Sequence, residues 1–175
     1  METWLAKARQ EIEEATAGMR DEDWRRAPDG KWTASHILEH LSLTFSGTAK
    51  MLEKRLAAET PEAVRRRTSK EFVMQVALFM REEIPEGRQA PAGVVPTGIE
   101  GEEALRRIRE YLGVMGTRID EAEKRWGSSG AIAVHPILGP LTADRWRKFH
   151  FIHTRHHMRQ VRQRRGVALG SAAGK

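Results

Sequence analysis

Apolar side chains recur at intervals of three and four residues along most of the chain, which is the spacing of one face of an α-helix. We predict five helices from this pattern and from the residues that cap it. They run over about residues 3–20, 33–58, 69–83, 102–126 and 142–165. Thr68 with Glu71 fits a capping box, and Thr142 is a favourable N-cap for the last helix. Thr60-Pro61 has the pattern of a further helix start.

The segments between the predicted helices are rich in proline and glycine, and we predict them to be loops. They cover residues 21–32, 85–101 and 127–141. No segment alternates between apolar and polar residues for long enough to predict a strand. The sequence therefore predicts an all-α bundle of four long helices, with a short extra helix and long loops. We expect one domain over residues 1–166, with residues 167–175 frayed.

The composition is that of an ordinary folded protein, since 39% of the 175 residues are apolar and 31% are charged. The chain has no cysteine, which excludes disulfides, thiolate metal ligands and a cysteine nucleophile. The N-terminus does not resemble a signal peptide, and no apolar run approaches the roughly 18 residues of a membrane-spanning helix. We therefore expect a cytoplasmic protein without a membrane partner.

The net charge of +6 is concentrated towards the C-terminus. Nine Lys and Arg residues and no Asp or Glu follow from Arg145 onward, so the rest of the chain carries −3. Such a basic stretch could bind nucleic acid or an anionic surface. The interpretation that we favour is a solvated basic face near a helix C-terminus, where cations interact well with the helix dipole.

Histidine carries the candidate chemistry. On the last predicted helix, Trp146, His150, His153, His157 and Gln160 fall within one narrow arc. Trp146 indicates that this arc faces the core, where an unpaired polar ring costs about 1–3 kcal/mol. Metal coordination would satisfy such rings, and residues four apart can present nitrogens to a common point. His153 and His157 are therefore predicted to bind one divalent metal ion, although a pair at this spacing can also be a satisfied structural pair.

A catalytic metal of this kind usually takes three protein ligands and keeps one position open. The second helix offers His36 and His40, and we choose His40 because it lies nearer the apolar stripe. A ligating imidazole usually needs a partner for its other nitrogen, and His150 or Gln160 could supply one. Gln160 could equally be a plain hydrogen-bonding residue between helices.

The remaining candidates are less specific. We expect His156 on the surface, while His135 in a loop could have a structural role or face a substrate. Glu39 and Asp144 are the only acids close to the candidate ligands in sequence. We expect Glu39 on the surface and Asp144 in the first turn of the last helix. No catalytic residue or general base is assigned. The spacings of carboxylate-bridged di-iron, His-Glu-x-x-His, P-loop and Gly-x-Ser-x-Gly sites are absent.

Two segments carry a family resemblance. Trp32-Thr-Ala-Ser-His-Ile-Leu-Glu-His40-Leu resembles the second-helix motif of the DinB/YfiT-like superfamily, in which a Trp-led segment ends in a metal-binding histidine. The loop from His135 to Trp146, followed by His153-Thr-Arg-His-His157-Met-Arg-Gln160, is similar to the final loop and helix of that family.

The resemblance implies an up-down-down-up four-helix bundle, often a homodimer, with zinc or nickel held by His40, His153 and His157. Members include thiol-dependent transferases, maleylpyruvate isomerase-like proteins and metal-dependent hydrolases, which act on small molecules, and the resemblance does not imply DNA binding. Because the chain has no cysteine, any thiol would be an external low-molecular-weight cofactor. The expected function is a metal-dependent hydrolase or a thiol-dependent S-transferase. The alternative is a non-catalytic binding or structural bundle whose metal is structural or absent.

Overall fold

The computed structural model describes residues 3–59, 63–84 and 90–166, and these form a helical bundle. The helices are α1 Trp4–Thr16, α2 Asp21–Arg25, α3 Ala34–Ala57, α4 Ser69–Arg81, α5 Gly101–Trp126 and α6 Ala143–Arg164. Two short strands, β1 Ala131–His135 and β2 Gly139–Thr142, form an antiparallel hairpin directly before α6. The predicted all-α bundle is confirmed, and the hairpin is an addition to it.

The first and last helices of the bundle run parallel to each other. Near the start of both, the Trp4 Nε1–H donates to Asp144 Oδ1 at 3.1 Å. Near the end of both, Arg165 donates to the backbone oxygen of Ala15 at 2.7 Å. Contacts at both ends, with the same polarity, fix α1 and α6 side by side.

α3 and α5 form a second parallel pair. At their C-terminal ends Arg125 donates to the backbone oxygen of Leu56. At their N-terminal ends both helices meet Trp24 of α2, whose carbonyl accepts from Ser35 Oγ at 3.1 Å. The Trp24 ring also lies over Gly101, where any Cβ would overlap the indole. Glycine at the start of α5 therefore allows the close approach of α2.

The two pairs run in opposite directions. The start of α3 lies beside the end of α6, because Arg164 donates to the Trp32 carbonyl at 3.1 Å and the His40 ring contacts the His157 ring. This is the up-down-down-up order that the resemblance implies, and it brings the N-terminal half of α3 against the C-terminal half of α6. The core between the helices contains buried apolar residues from all four, among them Ile12, Leu38, Leu41, Phe45, Ile108, Met115, Ile119 and Ile152.

The prediction that residues 127–141 form a loop is wrong, because nearly the whole hairpin lies in this segment. Its strands have five and four residues, and β2 includes Gly139 and Pro140, so the sequence carries no sustained alternation. The buried Gln75 side chain of α4 donates to the carbonyls of Leu138 and Pro140 at 2.7 and 3.0 Å, which fastens α4 to the hairpin. Gly139 has a φ of +73° and packs against the Glu71 carboxylate, where a side chain would not fit.

Several predicted boundaries also differ. Residues 21–32, predicted as a connection, contain the short helix α2. α1 ends at Thr16 because Ala17 is extended and Gly18 has a φ of +63°, a left-handed conformation that glycine adopts without strain. In the predicted loop 85–101, residues 92–94 form one 3₁₀ turn. Residues 85–89, Thr60-Pro61 and the predicted frayed end 167–175 lie outside the described residues.

The helix caps form as the sequence predicts, but the expectation of a solvated basic face is wrong for Arg147, Lys148, Arg155 and Arg162, whose side chains are only 16–23% exposed. Thr68 and Glu71 form the predicted capping box, and Thr142 Oγ1 accepts from the backbone N–H of Arg145. Basic side chains of α6 have partners on neighbouring helices. Examples are Arg147 with Asp120 and Glu123, Lys148 and Arg155 with Glu82, and Arg162 with Glu11. Among the described helices none is both long and apolar enough to cross a bilayer.

Candidate metal centre

Three histidine rings from two helices converge between α3 and α6. His40 lies in the N-terminal half of α3, and His153 and His157 lie one turn apart on α6. The Nε2 atom of His153 is 3.0 Å from Nε2 of His157 and 3.4 Å from Nε2 of His40. One ligand atom from each ring lies within 4.8 Å of the other two. The structure thus brings together the three residues that the sequence singled out.

Two of the three rings are held by their other nitrogen. His40 Nδ1 is 2.8 Å from the Val94 carbonyl oxygen, and His157 Nδ1 is 2.8 Å from Gln160 Oε1. A carbonyl oxygen only accepts hydrogen bonds, so both Nδ1 atoms carry the proton and both Nε2 atoms carry a free lone pair. Such a tether fixes the tautomer and the ring orientation that a metal ligand needs.

The spacing of the nitrogens fits a divalent ion. Zinc binds imidazole nitrogen at about 2.0–2.1 Å, so two ligands at a tetrahedral angle lie about 3.3–3.4 Å apart. The two Nε2 separations of 3.0 and 3.4 Å bracket this distance. Within the described ranges, no carboxylate or fourth histidine joins the cluster. The arrangement could therefore hold a metal through three protein ligands.

Burial keeps the three imidazoles in the neutral form that binds metals. It lowers the pKa of His40, although the hydrogen bond to Val94 opposes this. It lowers the pKa of His157 to about 3, with a further contribution from the neighbouring His40. The pKa of His153 lies well below its ordinary value, first because of burial and then because of the adjacent histidines. No proton has to be displaced from these rings at neutral pH before a metal binds.

The segment that supplies the Val94 carbonyl is held by the residue next to His40. The carboxylate of Glu39 is buried and accepts four hydrogen bonds, from Thr97 N and Oγ1, Gly98 N and Ile99 N, at 2.7–3.2 Å. Burial raises the pKa of Glu39, but these hydrogen bonds outweigh it, and the net pKa lies below the ordinary value. The expectation of a surface acid is wrong: Glu39 fastens the segment over the site and has no free oxygen to act as a base there.

Three other predicted residues lie outside the cluster. His36 Nδ1 is 3.0 Å from Thr33 Oγ1 at the start of α3, so this ring serves the helix N-terminus. His156 is half-buried, so it lies at the edge of the predicted surface position, and its Nε2 is 3.2 Å from Gln160 Nε2. Asp144 accepts from Trp4 and lies in the first turn of α6, as expected.

His135 has a structural place in the hairpin. Its Nδ1 accepts from the backbone N–H groups of Ile137 and Leu138, each at 3.1 Å, so its proton lies on Nε2. The ring is buried and lies 4.4 Å from the Phe149 ring, centroid to centroid. Burial lowers the pKa of His135 to about 4. Of the two roles left open by the sequence, the geometry favours the closing of the turn between β1 and β2.

His150 is the most unusual side chain of the core. It is fully buried, with its ring centroid 5.4 Å from that of Phe45 and 5.8 Å from that of Trp146, and neither ring nitrogen has a hydrogen-bond partner. Burial lowers the pKa of His150 to about 3. His150 makes no direct hydrogen bond to a ligand histidine, so the structure does not bring it together with the cluster in the predicted way.

Unpartnered polar atoms accumulate around His150. Trp146 Nε1, His153 Nδ1 and Thr154 Oγ1 are also buried without a hydrogen-bond partner in the described chain. Each such atom costs about 1–3 kcal/mol, so the five together would cost about 5–15 kcal/mol. That is as large as the whole stability of a typical domain, which is about 5–15 kcal/mol. The described protein atoms therefore leave these groups unsatisfied.

Two residues that contribute to the site, Val94 and Glu39, were not identified from the sequence. Val94 acts through its backbone, which no side-chain pattern reveals. Glu39 carried a signal, because an acid lies in a helix beside the apolar stripe and directly before a ligand histidine. Its partners Thr97 and Gly98 are distant in sequence, so only the fold identifies them.

Comparison with known proteins identifies the family to which the chain belongs. Searches of curated proteins and of solved structures found no match. A scan of protein families matches residues 5–164 to the family described as Protein of unknown function (DUF1569), a span that includes all four long helices and the three converging histidines. By this match, the chain belongs to the DUF1569 family.

Proposed function

We propose that this chain is a metal-dependent enzyme, related to the DinB-like superfamily, that uses His40, His153 and His157 to hold one divalent ion. The observation that carries the proposal is the number and type of groups in the cluster. Three imidazoles converge, and no fourth protein ligand joins them among the described residues. Structural zinc sites usually have four protein ligands, whereas catalytic ones have three and an open position.

We infer the reaction class from the resemblance to DinB-like proteins and from the chemistry of a metal held by three histidines. A divalent ion bound here would lower the pKa of a bound water towards about 7, polarise a carbonyl or deprotonate a bound thiol. The chain itself contributes three oriented neutral rings and an aromatic wall, with Trp32 against His40 and Phe149 against His153. We propose zinc or nickel as the ion, and either hydrolysis of a small molecule or S-transfer with an external thiol as the reaction.

Cobalt substitution tests for an open position. Co²⁺ bound by histidines absorbs visible light, and its spectrum changes when a further ligand binds. We expect about one Co²⁺ per chain and a spectral change on adding either a small thiol or acetohydroxamate. A response to the thiol alone favours S-transfer, and a response to the hydroxamate alone favours hydrolysis. A spectrum that neither compound alters would contradict the catalytic proposal and support the structural alternative.

We also propose a homodimer, in agreement with the resemblance, and place its interface on α4. Phe72, Val73, Val76 and Met80 are exposed by 49, 64, 46 and 80%. Phe72, Val76 and Met80 are four residues apart and share one face. Lys70 at the start of α4 and Glu83 just beyond its end are both exposed, so two antiparallel copies of α4 would bring opposite charges together around the apolar strip.

A further inference from the structure

Of the three candidate ligands, His153 alone has no hydrogen-bond partner for its Nδ1 atom in the described chain. Val94 tethers His40 and Gln160 tethers His157, but His153 Nδ1 has no partner and is shielded from solvent. If His153 presents Nε2 to a metal, its proton lies on Nδ1, and this N–H needs an acceptor. The buried acceptors nearest along α6 are those of His150 and Thr154, which also lack partners.

His150 is placed to serve His153. The two residues are three apart on α6, so their Cβ atoms lie about 5–6 Å from each other. The Phe149 ring contacts both, with centroid distances of 5.1 Å to His150 and 5.6 Å to His153. No hydrogen bond joins their nitrogens directly, so a tether between the two rings has to pass through a third group.

We propose that Trp146, His150, His153 and Thr154 bind ordered water in the bundle core, and that His150 is a positioning residue that tethers His153 through this water. The four residues offer both hydrogen-bond donors and acceptors, and water can bind to either kind of group. Trp146 and His153 each offer one N–H, His150 offers one N–H and one acceptor nitrogen, and Thr154 offers a hydroxyl that does both. A buried water typically makes about three hydrogen bonds to such groups.

This inference rests on the proposed metal site, and Zn²⁺ is the probe that tests it. His150→Leu removes the acceptor and the donor, whereas His150→Gln keeps both. Loss of an outer partner of a metal ligand typically weakens metal binding about 10–100-fold. We expect that weakening of Zn²⁺ binding for His150→Leu, and affinity close to wild type for His150→Gln, in a competition titration with a chromogenic chelator.

Met115→Ala is the matched control, because Met115 is fully buried but lies on α5, which carries neither the proposed metal ligands nor the four residues of the proposed water site. It should lower the melting temperature without changing Zn²⁺ affinity. Nitrogen-15 NMR of the Zn²⁺-bound protein should show a slowly exchanging Nδ1–H of His153 in wild type and His150→Gln, and a rapidly exchanging one in His150→Leu.

The possible failures can be told apart. Wild-type protein that does not bind Zn²⁺ overturns the proposed function. Zn²⁺ binding that is unchanged in a folded His150→Leu, or equally weak in both His150 variants, overturns the role of His150. A high-resolution crystal structure without density for water between His150 and His153 overturns the water site, whether or not metal is present.

Discussion

At the scale of single residues, the candidate metal centre depends on which nitrogen of each histidine carries the proton. His40 and His157 present Nε2 because their Nδ1 atoms donate to carbonyl oxygens of Val94 and Gln160. The sequence suggested Gln160 for this task, since it lies three residues beyond His157 on the same arc. Spacing selected His153 and His157 as candidate ligands, and a position near an apolar stripe selected His40, whereas the orientation of the three rings depends on partners that only the fold supplies.

Gln160 provides a direct test of the tether. Gln160→Leu should weaken Zn²⁺ binding about 10–100-fold, because the His157 ring loses the acceptor that fixes its tautomer. A competition titration measures the change. Gln163→Leu, an exposed residue on the same helix, is the control and should bind like wild type. Equal affinity of all three proteins would show that the tether does not orient His157.

Because His135 is buried, we predict that the free energy of unfolding falls in mild acid. Burial lowers its pKa from 6.5 to about 4, so between these values the unfolded chain binds a proton that the native state excludes. The corresponding stability, about 3 kcal/mol, is present above pH 6.5 and is lost as the pH falls to about 4. Urea unfolding of metal-free protein across this pH range measures it.

His135→Asn isolates this contribution from those of the other buried histidines. Asparagine can accept from the backbone two and three residues ahead, so it keeps the turn of the hairpin while removing the titration. Its pH dependence between 6.5 and 4 should be shallower than that of wild type by up to about 1.4 kcal/mol per pH unit, the slope of one proton. Identical slopes would contradict the assignment.

At the scale of elements, periodicity predicts the long helices because each buries one apolar stripe. α3 and α5 differ from their predicted limits by a single residue at most at each end. The elements that were missed are short: α2 has five residues, and each hairpin strand has four or five. Such segments are fixed by contacts distant in sequence, such as those of Trp24 with Gly101 and of Gln75 with Leu138.

Glu39 joins α3 to residues 97–99, so its removal should affect both parts of the molecule. Glu39→Ala removes the acceptor of the backbone N–H groups of Thr97, Gly98 and Ile99. Because Thr97 and Gly98 are exposed, water replaces part of these hydrogen bonds, and we expect a loss of about 1–3 kcal/mol in the free energy of unfolding. Amide hydrogen exchange at these three residues should accelerate, and Zn²⁺ binding should weaken because Val94 is carried by the same segment. Glu102→Gln, at an exposed position in the first turn of α5, is the control. Unchanged exchange in Glu39→Ala would contradict the role of Glu39.

At the scale of the whole molecule, the antiparallel packing of α3 on α6 creates the site. It places His40 Nε2 3.4 Å from His153 Nε2. The resemblance to DinB-like proteins implies the same pairing of these two histidines. Arg147, Lys148 and Arg162 of α6 pair with acids of α5, the C-cap of α4 and α1, so part of the positive charge near the C-terminal end is neutralised within the fold. What periodicity alone could not predict is which helices are parallel, because each stripe is compatible with several arrangements.

The proposed dimer belongs to this scale as well. Val76→Lys puts a charge at the centre of the α4 strip and should convert a dimer into a monomer, since a buried lysine without a partner is costly. Light scattering coupled to size-exclusion chromatography measures the mass. Val114→Lys changes a valine of similar exposure on α5, 41% against 46%, and should leave the dimer intact. A monomeric wild-type protein, or a dimeric Val76→Lys, would contradict the proposed interface.

We expect His40, His153 and His157 together to hold one divalent ion. Elemental analysis of untagged protein, after equilibration with Zn²⁺ and removal of unbound metal, tests it in wild type, His157→Ala and His36→Ala. We predict about one ion per chain in wild type and in His36→Ala, and almost none in His157→Ala, because two remaining imidazoles do not make a stable site. Wild-type protein without metal, or His157→Ala with as much metal as wild type, would contradict it.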